Sequence, residues 1–195
     1  LRGQIWRSGR NYLHLSPRIL LAGKLNEQTS WRFAFDQAVQ PVHLISSTVI
    51  GLPSDLWVPA TEAFGPSTSQ QTSMQFTRHL SEDWNFVMGV YYRDIRDLVS
   101  YTEDGQDWQR NLSSGDGFAS GVELTLNKTR GLFSGWLSYT LSESRRDFDE
   151  KINRGRAFDF RYGRRHSFKA LVRYQPTPKV SLTANFRYGS GAAYS

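Results

Sequence analysis

Apolar and polar residues exchange places every second position over one segment after another. A side-chain period of two belongs to strands whose two faces meet different surroundings. Val180, Leu182, Ala184, Phe186 and Tyr188 alternate with Ser181, Thr183, Asn185 and Arg187. Phe168, Ala170, Val172 and Tyr174 alternate with Lys169, Leu171 and Arg173, and Val122, Leu124 and Leu126 with Glu123, Thr125 and Asn127. Trp84, Phe86, Met88, Val90 and Tyr92 form one face of a further segment, and Trp31, Phe33 and Phe35 begin another. Phe133, Leu137, Tyr139 and Leu141 share a face with Gly135, while Leu15, Pro17, Ile19 and Leu21 line the first clear strand. The pattern is weakest over 70–80, where Met74, Phe76 and Leu80 share a face with Arg78. Helical spacing fits none of these segments as well, so the chain is expected to be all-β with about eight strands.

The connections alternate as regularly as the strands. Tight turns are expected at Asn26-Glu27-Gln28, Ser81-Glu82-Asp83, Lys128-Thr129-Arg130 and Pro176-Thr177-Pro178. Between them run long polar stretches at 41–69, 102–116 and 143–163. Short turns on one edge and long loops on the other describe antiparallel up-and-down strands of an outer-membrane barrel. A mean hydropathy of −0.53 agrees with that reading, because a barrel strand spends half its residues on a polar face. No apolar run approaches the ~20 residues of a transmembrane helix.

Aromatic placement supports the same layout. Trp31 and Trp84 follow tight turns and Tyr174 precedes one, while Tyr92, Tyr139 and Tyr188 lie further along the same faces. Rings with a polar tip favour the level where hydrocarbon meets water. Lipid-facing positions are expected to include Phe33, Phe86, Val90, Leu124, Leu137, Val172, Leu182 and Phe186. With no closing partner strand evident, residues 1–195 are expected to form part of one C-terminal β-barrel domain, a partial segment of a large transmembrane β-barrel.

Specific motifs carry a family likeness. They are Gln40-Pro41-Val42-His43-Leu44-Ile45-Ser46 with Leu56-Trp57-Val58-Pro59, Tyr91-Tyr92-Arg93 with Asp97-Leu98-Val99, and Gly117-Phe118 with Gly121-Val122-Glu123-Leu124. Leu137-Ser138-Tyr139-Thr140-Leu141-Ser142 with Arg146-Asp147-Phe148, then Gly155, Phe158, Arg164-Arg165-His166 and Tyr188-Gly189-Ser190-Gly191, complete the series. In this order they resemble the C-terminal barrel region of Bacteroidetes-type TonB-dependent outer-membrane receptors. Gly163 departs from that pattern, which often carries an acid before the paired arginines. The resemblance implies a barrel of about 22 strands, an N-terminal plug in its lumen and a segment engaging the TonB complex. The expected function is the wall and extracellular loops of a receptor for nutrient uptake in the bacterial outer membrane, with the plug and remaining strands outside this chain. A passive porin segment and a soluble all-β binding domain are the alternatives.

Other chemistries find little support. The 24 Lys and Arg are interleaved with 18 Asp and Glu, giving a net charge of +6 without a compact basic helix, so nucleic acid is not an expected partner. His14, His43, His79 and His166 lack metal-ligand spacing, no nucleophile elbow is present, and cysteine is absent. No enzyme activity, cofactor or metal is therefore expected. The expected partners are outer-membrane lipid and lipopolysaccharide, plug and TonB through the missing part, and a small-molecule or oligosaccharide substrate. The candidate ligand-contacting loop residues are Trp57, Trp108, Arg145, Arg146, Arg154 and Arg156, because indole stacks on rings and guanidinium forks match anions.

Overall fold

The computed structural model describes residues 2–8, 10–45, 56–101, 112–150 and 152–191. A hairpin of β1 (Arg2–Ser8) and β2 (Arg10–Ser16) precedes β3 (Arg18–Asn26) and β4 (Thr29–Gln40). A short hairpin of β5 (Val42–Ile45) and β6 (Leu56–Pro59) leads into β7 (Ser67–His79) and β8 (Trp84–Tyr101). There follow β9 (Leu112–Lys128), β10 (Phe133–Phe148), one turn of 3-10 helix (Asn153–Gly155), β11 (Phe158–Asp159), β12 (His166–Thr177) and β13 (Val180–Gly189). The principal sheet has the order β13-β12-β10-β9-β8-β7-β4-β3, with β11 added beside β10. Every pairing is antiparallel. The fold is all-β, a wall segment of a barrel.

Register turns the alternation of the sequence into two unlike surfaces. Phe33 faces Met74, Met74 faces Val90, Val90 faces Val122 and Val122 faces Leu141. All eight positions expected to face lipid fall on this side of the sheet. The other side carries Asp36, Gln71, Arg93, Gly121, Ser142 and, further along, Lys169 and Arg187. Its polar groups bind across strands: Arg93 Nε donates to Gln71 at 2.8 Å and Arg173 Nε to Ser181 Oγ at 2.8 Å. The apolar side is not covered by protein, and Leu182 and Phe186 stay 62% and 57% exposed. Among the described residues the buried apolar side chains are Val58, Ala60, Leu112 and Phe148, all at the loop-bearing end. A water-soluble sheet would bury such a face against a second layer.

The register also fixes the tilt. Starting at Thr29, first residue of β4, successive partners are Arg78, Phe86, Leu126, Leu137, Ala170 and Phe186. Six strand steps thus end six residues beyond Val180, the first residue of β13. One residue of stagger per strand, ~3.3 Å along for ~4.8 Å across, gives a tilt of ~35°, the value a closed barrel demands.

All tight connections lie on one edge, and neighbouring ones touch: His79 N–H donates to Gln28 O at 2.8 Å, Thr129 N–H to Asp83 O at 2.9 Å, and Gln175 N–H to Leu132 O at 2.9 Å. The connections 41–66, 102–111 and 149–165 leave from the opposite edge. Above the turns an aromatic rim forms, with Phe133 stacked on Tyr174 at 4.8 Å and Lys128 over the Trp84 ring at 5.3 Å. Between these two pairs Gly135 adopts φ 143°, and a side chain there would collide with the Leu171 carbonyl, so only glycine fits. The second rim is marked by Tyr92 stacked near Phe118 and by Tyr139, whose hydroxyl meets His166 Nδ1 at 2.8 Å. Trp84 and Tyr92 stand about 27 Å apart along β8, on the order of an apolar band ~25 Å tall.

Three details differ from expectation. β9 begins at Leu112, inside the stretch read as loop, and pairs with β8 as far as Tyr101. Pro17 divides the first strand, because proline cannot donate to the ladder; its carbonyl still accepts Gln37 N–H at 3.1 Å. The last turn is Pro178-Lys179, since Thr177 pairs with Val180. In the full-length protein in lipid, Leu124→Arg should lower unfolding free energy by ~2–4 kcal/mol, and Thr183→Arg by much less. Urea titration reads both; equal losses would mean the two faces had been exchanged.

Candidate functional site

Outside the aromatic rims the sheet continues as ribbons that carry the long connections. In the β5–β6 hairpin the period of two reappears. His43 and Val58 turn inward while their neighbours Leu44 and Trp57 are exposed. Val58 packs with Leu112, Phe64 and Val99, so the hairpin is fastened to the β8–β9 ribbon by apolar contact. His43, 5% exposed, supplies the polar fastening. Its Nε2 lies 3.0 Å from Gly65 O and its Nδ1 3.2 Å from Ser67 Oγ, which donates to Asp97 O at 2.7 Å. A carbonyl only accepts, so Nε2 carries a ring hydrogen and donates it to Gly65 O. Asp97 sits in a register shift of β8 with φ 57°, and its N–H donates to Asp116 Oδ1 at 3.2 Å. Aspartate tolerates that left-handed conformation better than most residues. Burial lowers the His43 pKa below its ordinary 6.5, and the Gly65 bond and Asp97 charge only partly offset this.

The β10 ribbon separates two arginines that adjoin in sequence. Arg145 shares the outer, apolar side with Glu143 and Phe118, and its Nε pairs with Glu143 at 2.8 Å and Asp159 at 3.4 Å. Arg146 points to the polar side, opposite Gly117 and Phe158. Its guanidinium lies over the Phe160 ring at 3.8 Å, Phe160 meets Tyr162 edge-on at 5.3 Å, and Arg161 lies over Tyr162 at 4.7 Å. Burial first, and the charge of Arg161 second, push the Arg146 pKa below the ordinary arginine range. Phe148 and Phe158, 6.1 Å apart, underlie this cluster.

The expected contact residues are thus dispersed. Trp57 is 60% exposed on β6, and no contact among the described residues joins it to the arginines. Arg154, at φ 56°, and Arg156 are exposed in the short turn after β10. Trp108 lies outside the described residues. Phe160 and Tyr162 were not singled out by sequence reasoning. Their signal was the second alternation inside a loop, Phe158-Asp159-Phe160-Arg161-Tyr162. The His43–Ser67–Asp97 network left no such trace, because its partners are backbone groups brought together from distant strands. Among the described residues no group of His, Asp and Glu is arranged to hold a metal ion.

No family model and no curated protein matches the sequence. Among solved structures the chain is similar to the closed form of the ferric-catecholate import receptor Fiu of E. coli K12, with a TM-score of 0.63 at 16% identity. The match covers 93% of this chain and 26% of Fiu, so the chain spans about a quarter of that receptor. At that identity the likeness establishes the fold alone: a wall segment of a large antiparallel β-barrel.

The histidine network predicts a pH response. With its folded pKa below the unfolded value near 6.5, the unfolded state binds more protons between the two, so stability rises with pH across that window. The contribution is complete above about 6.5 and lost as pH falls through the lowered value. Hydrogen exchange of amides in 56–67, corrected for intrinsic rates, should quicken between pH 7.5 and 5, and His43→Gln should flatten the response. Protection that grew on acidification would contradict the burial argument.

Proposed function

We propose that the chain forms wall and extracellular loops of a bacterial outer-membrane receptor that imports a nutrient with energy from the TonB complex. The observation that carries this is the uncovered apolar face on eight staggered strands, bounded by aromatic rims, with tight turns on one edge and long connections on the other. A soluble binding domain would leave that face in water and the edges of β3 and β13 unpaired, a template for aggregation. In this reading the edge strands pair with further strands of the same barrel, and a plug fills the lumen against the polar face. Lipid and lipopolysaccharide surround the outside. The motifs around Gln40–Ser46 and Arg164–His166 are the reason to place the receptor with the Bacteroidetes type.

Trp57, Trp108, Arg145, Arg146, Arg154 and Arg156 remain the proposed first contacts of a small-molecule or oligosaccharide ligand, because solute arriving from outside reaches the long connections before the wall. The dispersal of these residues implies at least two contact regions, an indole on the β5–β6 hairpin and the arginines beyond the rim of β10. On intact cells, an epitope inserted at 153–155 should be accessible and one at 178–179 hidden until the envelope is opened. Uptake of a ferric catecholate, cobalamin and oligosaccharide panel should require TonB for at least one member. Uptake that persists without TonB would identify a passive porin instead. Trp57→Ala should weaken binding of the transported member by about 0.5–1.5 kcal/mol. Normal binding by all six alanine variants would assign recognition to other parts of the receptor.

A further inference from the structure

The 149–165 connection contains an arrangement that the wall does not need. Arg146 is half-buried and lies over the Phe160 ring, and Arg161 lies over Tyr162, with the two rings in edge contact. Both guanidiniums stand without an ion pair among the described residues, although Arg145 next door has two carboxylates. The side chain of Arg146 passes Gly117, where an added side chain would press on the Arg145 carbonyl and on Leu98 and meet Arg146 Cγ at 3.5 Å. Tyr162 is 69% exposed, so an aromatic surface beside the two cations is open to solute.

We infer that Arg146 and Arg161, with Phe160 and Tyr162, form a binding site at the mouth of the barrel for an aromatic anion carrying one or more carboxylates. This deepens the transport reading and rests on it for the direction of the polar face. Three physical facts support the assignment. A guanidinium fork matches a carboxylate with two parallel hydrogen bonds. Stacking on a ring holds that fork in plane while leaving its N–H edge free. Two like charges held together repel, a cost that an entering anion removes; the lowered Arg146 pKa reflects both its burial and that repulsion. Tyr162 then offers its free face to the ring of the ligand, with offset or edge geometry. The position favours this role over attachment to lipopolysaccharide. Arg146 shares its side of the sheet with the polar lumen ladder, whereas Arg145, on the outer side, is already neutralised by Glu143 and Asp159.

The test uses the full-length protein in detergent and phthalate, a ring with two carboxylates, as probe. Phthalamide, its uncharged diamide, and inorganic phosphate serve as comparisons. Calorimetry should find phthalate bound more tightly than either, with Arg161→Gln and Arg146→Lys each weakening it by about tenfold or more. Arg146→Lys keeps the charge and most of the packing, so a loss there reports the fork. Retained heat-resistant migration of the unboiled barrel on gels confirms that the variants fold. No phthalate binding, equal affinity for phthalamide or phosphate, or unchanged affinity in both variants would each overturn the site. Failure of the protein to reach the outer membrane on cell fractionation would refute the transport reading and leave the calorimetric result standing.

Discussion

The ladder of backbone hydrogen bonds between neighbouring strands is the interaction on which the rest depends. Most folds share that burden with a packed core, but here the described core is a few side chains beneath one set of connections. Within hydrocarbon each unpaired N–H or C=O costs several kcal/mol, so the ladder must be complete wherever the apolar face is wide. Continuous register from Gly135 to Phe148 against β9 and from Phe133 to Leu141 against β12 meets that demand. The main shift in β8 falls between Ile95 and Leu98, beyond Tyr92, where water can satisfy what the ladder releases.

Irregularity is therefore sorted by height. Between the rims the strands hold regular pairing, and the left-handed residues Asp97, Asn153 and Arg154 lie outside them. The same sorting governs charge. On the apolar face Arg78 and Lys128 occur only close to the tight turns, where a long side chain reaches the interface. His43 and Arg146, the two groups whose burial shifts their titration, belong to the loop-bearing end. Wall and connections obey different physics within one continuous set of strands.

The wall was legible in the sequence because its rules are local. A strand that separates lipid from lumen must alternate, and Trp84 to Tyr92 or Val180 to Tyr188 state the alternation without help from the rest of the chain. The site was not legible to the same degree. Arg145 and Arg146 read as a pair in sequence, yet in a strand adjacent residues point apart, so the pair divides between outside and inside. Pro17 looked like an apolar member of a strand, but its missing donor splits that strand in two. The start of β9 at Leu112 depends on partners in β8 that polar composition hides, since beyond the rims neither face needs to be apolar.

The stagger of the register carries a consequence for which parts of the molecule lie above one another. A strand crossing about 25 Å at ~35° drifts sideways by roughly 17 Å, about three strand spacings measured along the same horizontal. Because the paired rows climb toward β13, each strand leans toward β3 as it rises from its tight turn. The 149–165 connection, carried by β10 and β12, therefore stands over the neighbourhood of the 80–83 turn between β7 and β8. Vertical neighbours belong to different hairpins, and a disturbance passed straight down through the lumen arrives at a turn far from its origin in sequence. One passed along the strand emerges about three strands to one side.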